Sequence, residues 1–277
     1  MLTSSPRPRS QALEEVLQTL DTGITARSIS SPLSDALQVK DSASKALKYM
    51  EDHKYDRVVV ADGETTIGYI DIKNLEKLEH DGDTLLEKCV STFGPDLLIS
   101  EETPLPVVLH RLQRESSLFI VGRDGINAIV TPADLEKQFM RVYAFGLVSL
   151  MEQVLGQLME DLPWDVVAEE ILDESERRTY KAFFKGKESA DAELAPICYA
   201  CLGTKIKLFV KRPENWKLLG DSKRHARFRL MQIKGLRNKL DHVKPLIAGH
   251  DTLENLDATL DDVTNVIRIL ESVTEQT

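Results

Sequence analysis

Arg237, Asn238 and His242 fall within six consecutive residues and combine a permanent cation, a short amide and a titratable imidazole. Cleavage of an RNA phosphodiester without a metal needs such a set. A base must take the proton of a ribose 2'-hydroxyl, and a cation must hold the charge that builds on the phosphate. Asn238 and His242 are four apart and share a helix face, whereas Arg237, five before His242, points away from it on a regular helix. Pro245 clashes with the carbonyl of Asp241 and disfavours helix at Lys244, so His242 is expected at a fraying C-terminal turn. The plain alternative is a helix end on which Arg237 caps carbonyls and His242 is solvated.

The surrounding charge strengthens the chemical reading. The chain has 277 residues and a net charge of −10, but the charge is segregated. Residues 151–176 carry nine acids and no Lys or Arg; residues 177–244 carry 18 Lys/Arg against 6 Asp/Glu; residues 245–277 carry 1 against 7. A basic block on an acidic protein suits a polyanion such as RNA. Arg227, Lys234 and Lys239 are the expected RNA contacts, on a helix over about 222–244 whose buried face is assigned to Phe228, Met231 and Leu240.

Hydrophobic residues make up 42% and charged residues 29%, a composition that excludes wholesale disorder. The length gives room for two domains. No apolar run reaches the roughly 20 residues that span a bilayer, so no membrane partner is expected. Met1 to Ser10 is rich in Pro, Arg and Ser and reads as a flexible tail rather than a signal peptide. Three cysteines, an odd number, argue against a disulfide framework and for the cytoplasm.

The first half contains a repeat. Val58-Val59-Val60 and Ile67-Gly68-Tyr69-Ile70 lie sixty positions before Leu118-Phe119-Ile120 and Asn127-Ala128-Ile129-Val130, and Asn74-Leu75-Glu76-Lys77 matches Asp134-Leu135-Glu136-Lys137 at the same offset. Each copy reads strand, helix, strand, turn, strand, helix, with Asp62-Gly63 and Asp124-Gly125 as hairpin turns. This order, with Ile129-Val130-Thr131-Pro132-Ala133-Asp134-Leu135, resembles the tandem CBS modules named for cystathionine β-synthase. The resemblance implies an adenine nucleotide (AMP, ATP or a relative) as regulatory ligand, with Thr131 facing its phosphate or ribose and Asp134 its ribose diol. The first copy carries Asp71 and Asn74 at those positions, so at most one competent site is expected. Thr131-x-x-Asp134 is also an ordinary helix-capping pattern.

From Ala144 the apolar period becomes helical. Leu147, Met151, Val154, Leu155 and Leu158 mark a helix ended by Pro163 that continues from the last helix of the second repeat. Further helices are expected over about 165–186, 190–211 and 222–244, and through Leu253, Leu256, Leu260, Val263, Ile267 and Leu270. Cys198 and Cys201 lack a second ligand pair for zinc and are expected in the core. The run Arg237-Asn238-Lys239-Leu240-Asp241-His242 resembles the Arg-polar-x-x-x-His signature of the HEPN family, helical ribonucleases that often act as toxins or defence effectors. That resemblance implies metal-independent catalysis with no cofactor, across a homodimer. His242 would handle the proton, Arg237 the phosphate and Asn238 the orientation. An antitoxin partner is not legible.

The expected fold is α+β. A tail and short helix (1–23) precede a tandem CBS pair (24–140, as about 24–80 and 90–140) and an all-α antiparallel HEPN-like bundle (141–277). The expected function is a nucleotide-regulated endoribonuclease. The alternative is a non-catalytic nucleotide sensor whose bundle dimerises or binds RNA or protein.

Overall fold

Val58, Val59, Val60 and Ala61 are all buried, as a continuous β-branched run in a sheet interior should be. They form β3 (Arg57–Asp62), the centre of a three-stranded sheet, with β2 (Leu37–Gln38) parallel on one side and β4 (Thr65–Asp71) antiparallel on the other. Gly63, at φ +63°, supplies the left-handed turn of the hairpin. Between β2 and β3 runs α3 (Ala43–His53), capped by the Ser42 side chain accepting from the Lys45 N–H. The unit ends with α4 (Ile72–Glu76). Ala46, Met50, Ile70, Leu75 and Leu86 close its core.

The same pattern recurs sixty residues on. β5 (Leu98–Ser100) lies parallel to β6 (Leu118–Gly122), α5 (Leu105–Leu112) connects them, and β7 (Gly125–Val130) returns antiparallel. A 3-10 turn at Pro132–Glu136 follows. Even the irregularities agree: the register slips at Val60/Ala61 in one copy and at Ile120/Val121 in the other. Each copy also receives a strand-like segment from the chain preceding the other. β1 (Ser31–Pro32), just after the short α2 (Ala26–Ile29), pairs with β7, and Ser91 exchanges two backbone hydrogen bonds with Tyr69. A Cβ on Gly68 would collide there with the carbonyl of Ser91 and with Val90. Tyr69, Phe93 and Phe119 pack their rings together, joining the copies.

The computed structural model describes residues 9–33, 36–77, 84–123, 125–163, 173–174, 177–178, 196–220, 222–248 and 251–274. The tail expected at Met1–Ser10 and the helix expected over 165–186 lie almost wholly outside them, as does Asp124. Residues 21–139 form one unit and residues 1–20 with 140–277 the other.

The second unit is helical. α1 (Arg9–Gly23) buries Leu13 and Leu17, and Leu20 sits against Gly146. α6 (Gln138–Gln157) buries Leu147, Met151, Val154 and Leu155. It does not continue from the second repeat: Lys137 has extended backbone (ψ 158°) and separates it from the preceding 3-10 turn. α6 also ends well before Pro163. α7 (Leu202–Lys211) and the short α8 (Pro213–Trp216) precede α9 (Lys223–Asp241) and α10 (Leu253–Thr274). α9 packs on α7 and α10 through Ala226, Leu230, Ile233, Leu236 and Leu240.

Three expectations for this unit are corrected. Phe228 and Met231 are not buried on α9 but 59% and 44% exposed, because Ala226, Leu230 and Ile233 already fill its inward stripe. The helix expected over 190–211 is broken in its described part, where a 3-10 turn at Pro196–Tyr199 precedes α7. Cys198 and Cys201 consequently lie at the surface outside any disulfide, Cys201 beside the Thr204 hydroxyl (3.5 Å), since the break takes them off the packed face. Among the described residues no helix is long and apolar enough to cross a membrane, and no cluster of His, Cys, Asp or Glu is arranged to hold a metal.

Candidate nucleotide site

Thr131 ends β7 and Asp134 follows in the 3-10 turn, so a strand end and a turn start meet at one point. The Asp134 carboxylate is 6% exposed and receives four donors. The Thr131 N–H (2.7 Å) and hydroxyl (2.9 Å) donate to Oδ2. The Ser31 hydroxyl (2.7 Å) and the Lys137 ammonium (2.8 Å) donate to Oδ1. Burial, the largest single influence, pushes the acid's pKa up. Hydrogen bonds from Lys137, Ser31 and Thr131 together outweigh it and hold the group below the ordinary carboxylate value. Four donors fill a carboxylate's lone pairs. A ribose diol therefore reaches Asp134 only by displacing Ser31 or Lys137.

Around this pair opens a cleft of about 630 Å³, built from both repeats and within the size range of small-ligand sites. From the first repeat come His53, Lys54, Tyr55, Asp56, Arg57 and Val58, and from the second Ser116, Ser117, Phe119, Ile129 and Thr131, with Ser31, Pro32 and Leu33 at one side. Lys54 caps α3 in the left-handed conformation (φ 57°) and is exposed. His53 stacks on Tyr55 with ring centroids 5.4 Å apart. Val58, Phe119 and Ile129 give an apolar wall, while exposed Lys54 and the Ser116 hydroxyl give a polar rim suited to phosphate; Ser117 is buried and the Thr131 hydroxyl is committed to Asp134.

Arg57, Lys54 and Ser31 are lining residues that no motif in the sequence singles out. The Arg57 side chain is 13% exposed and pairs with Asp71 (3.1 Å) and Glu115 (3.5 Å). It also donates to the Ser117 hydroxyl (3.3 Å) and lies 5.5 Å from the Tyr69 ring centroid. Asp71 is thereby engaged on one oxygen by Arg57 and on the other by the Lys73 N–H (3.0 Å). The available signal was the sixty-residue offset itself, which equates Arg57 with Ser117 and Asp71 with Thr131. Ser31 carried no such signal, because only the pairing of β1 with β7 brings it near Asp134.

The C-terminal candidates are arranged differently. Arg237 lies toward the packed side of α9, held by Asp241 (2.9 Å) and Glu152 (3.6 Å). Asn238 and His242 are exposed, and His242 caps the helix end with Val243 beyond it at φ 51°. No hydrogen bond joins Arg237 to His242 among the described residues. Of the expected RNA contacts, Arg227 is exposed and Lys234 half-buried, while Lys239 pairs with Asp251 at 2.7 Å rather than lying free on a solvated face.

The comparisons with known proteins concern the N-terminal half of the chain. None of the curated proteins matches the sequence. Among solved structures, the chain is similar to a hemolysin-like protein containing a CBS domain from Oenococcus oeni PSU, at 14% identity and TM-score 0.36, covering 46% of this chain and 97% of that one. It is similar to the CBS domain of a bacterial CNNM/CorC family Mg2+ transporter in complex with ATP, at 19% identity and TM-score 0.37, covering 48% and 98%. It is also similar to a CBS domain protein from Streptococcus pneumoniae TIGR4, at 23% identity and TM-score 0.34, covering 47% and 93%. The family model for the CBS domain matches residues 30–80, and the chain therefore contains a CBS domain, followed by a second copy of the same strand order and register.

Proposed function

We propose that residues 21–139 bind an adenine nucleotide in the cleft between the repeats, and that the helical unit is the part whose behaviour the nucleotide sets. The supporting observation is the cleft, where Lys54 and the Ser116 hydroxyl stand beside an apolar wall and a buried, ionised Asp134. The phosphates lie toward Lys54 and Ser116. The base lies against Val58 and Ile129, and the ribose diol takes the place of Ser31 or Lys137 on Asp134. Calorimetric titration with AMP, ADP and ATP tests this. Wild type is expected to bind at least one of them, with Lys54→Glu weakening it about tenfold or more through reversed charge at the phosphate and Lys40→Glu, outside the cleft, leaving it unchanged. No heat or shift with any of the three at millimolar concentration would remove the reading.

A second reading is metal-independent RNA cleavage by a dimer of the helical unit, supported by the exposure of Asn238 and His242 one turn apart on α9. It requires Arg237 to leave Asp241 and Glu152 and swing toward a phosphate. Cleavage in EDTA leaving a 2',3'-cyclic phosphate, with His242→Ala slower by about 10²–10⁴-fold, is the expected result. Intact RNA after prolonged incubation, with and without nucleotide, leaves the non-catalytic sensor as the function.

A further inference from the structure

The cations of α9 divide into two sets. Arg229 pairs with Asp262 on α10 at 2.7 Å, Lys239 with Asp251, and Arg237 with Asp241 and Glu152, so these are neutralised inside the helical unit. Lys223, Arg224, Arg227 and Lys234 form no ion pair with any described residue, and no acid stands among them from 222 to 240. Arg224, Arg227, Phe228, Met231 and Asn238 are exposed and recur about one or two turns apart, so they share the outward side of α9 over about 21 Å, while the half-buried Lys234 reaches over Gly203 of α7. The pattern mixes cations with exposed apolar groups. Phe228 is 59% exposed in the middle of it, beside a groove of about 500 Å³ between α9 and α10. Membrane helices of this kind carry a wide apolar face; here only Phe228 and Met231 are apolar, and cations lie on both sides of them.

We infer that the outward face of α9 binds single-stranded nucleic acid, with phosphates on Arg224 and Arg227 and a base stacked on Phe228. The choice of occupant follows from charge and shape. An acid-free cationic track on a protein of net charge −10 selects a polyanion over other partners. A solvent-facing aromatic ring is useful to a strand whose bases are unpaired and of no use to a duplex. This deepens the RNA-partner reading of the helical unit but does not require catalysis, and it excludes Lys239 and Arg237 from the contact set.

The test is fluorescence anisotropy of the full chain with a labelled single strand of about 12 nucleotides. The strand is 2'-O-methylated and so lacks the nucleophile, which means that cleavage of the strand cannot be mistaken for loss of binding. Wild type should bind with strong salt dependence and prefer the single strand to its duplex. Arg224→Glu/Arg227→Glu should weaken binding by about tenfold or more and flatten the logarithmic salt slope by about 1.4, two contacts at about 0.7 each. Phe228→Ala should weaken it about fivefold or more with the slope unchanged. Lys40→Glu/Lys48→Glu, which changes net charge equally at exposed sites in the other unit, should do nothing. If charge reversal on α9 disturbs the helical circular dichroism, Arg224→Gln/Arg227→Gln replaces it. Salt-insensitive binding, equal losses in the two double variants, no loss in Phe228→Ala, or displacement by polyglutamate as effective as by unlabelled strand would each overturn the inference, the last in favour of an acidic protein partner.

Discussion

The two repeats of the N-terminal unit agree in register and disagree in what the shared positions carry. Sixty residues apart, Arg57 corresponds to Ser117, Gly68 to Ala128, Asp71 to Thr131 and Asn74 to Asp134. In the first repeat the cation and carboxylate neutralise each other, Arg57 to Asp71, and Asn74 is exposed. In the second, two hydroxyls occupy the positions of that ion pair, and the acid has moved to position 134, where burial and four donors fix it. The fold tolerates both because strands and core hold the register.

The comparison is broken most severely at its most buried member. Asp134→Ala removes the acceptor of Thr131, Ser31 and Lys137 together. It should destabilise the N-terminal unit by about 2–4 kcal/mol, from a lost cap and lost hydrogen bonds to a charged group. Asn74→Ala, at the matching but exposed position, should cost no more than about 0.5 kcal/mol. Urea denaturation followed by tryptophan-independent far-ultraviolet dichroism measures both, and equal costs would show that the repeats are energetically alike at this position.

Gly68 and Ala128 give a smaller contrast of the same kind. Each lies on the last strand of its repeat, but only Gly68 faces the backbone of Ser91 so closely that a Cβ has no room. Gly68→Ala should therefore cost about 1–3 kcal/mol through overpacking. Ala128→Gly should cost about 0.5–1 kcal/mol through backbone entropy alone. A thermal melt in which Gly68→Ala matches wild type would mean that the Ser91 segment yields easily.

The repeat was legible in the sequence because alternation and turn residues act locally, and so were the apolar seams of α6 and α10. Expectations went astray where a tertiary competitor decided. Phe228 and Met231 looked like core on α9, yet a helix buries one stripe, and Ala226, Leu230 and Ile233 had the better claim to it. The break at Lys137 had no residue signal beyond Pro132, since lysine itself favours helix. Spacing placed Asn238 and His242 on one face as expected, and Arg237 off it, but which carboxylates would receive Arg237 depended on Glu152, 85 positions earlier. At the candidate site the motif pointed to Thr131 and Asp134; Lys54, Arg57 and Ser31 come beside them only through the tertiary arrangement of the two repeats, which no local pattern encodes.

The finest contrast between the repeats is in their response to acid. Asp134 titrates below the ordinary carboxylate value in the folded protein, because hydrogen bonds from Lys137, Ser31 and Thr131 outweigh its burial. A depressed folded pKa means that its ionised form favours folding. That contribution is complete well above the unfolded value of about 3.9 and is lost as pH falls through the lower, folded one. Asp41, held down chiefly by its hydrogen bond from Lys45, acts in the same direction and window, so the wild-type curve alone does not isolate Asp134. Asp134→Asn does, since it keeps the shape and Asp41 and removes only this titration. The stability gap between wild type and Asp134→Asn should be constant from about pH 7 down to about pH 5 and should narrow below about pH 4. Asn74→Asp, which places an exposed acid at the matching position of the first repeat, should leave the pH profile of wild type almost unaltered, because nothing there buries the carboxylate or donates to it. A gap between wild type and Asp134→Asn that stays constant to pH 3 would show that the four donors hold Asp134 equally well when it is protonated.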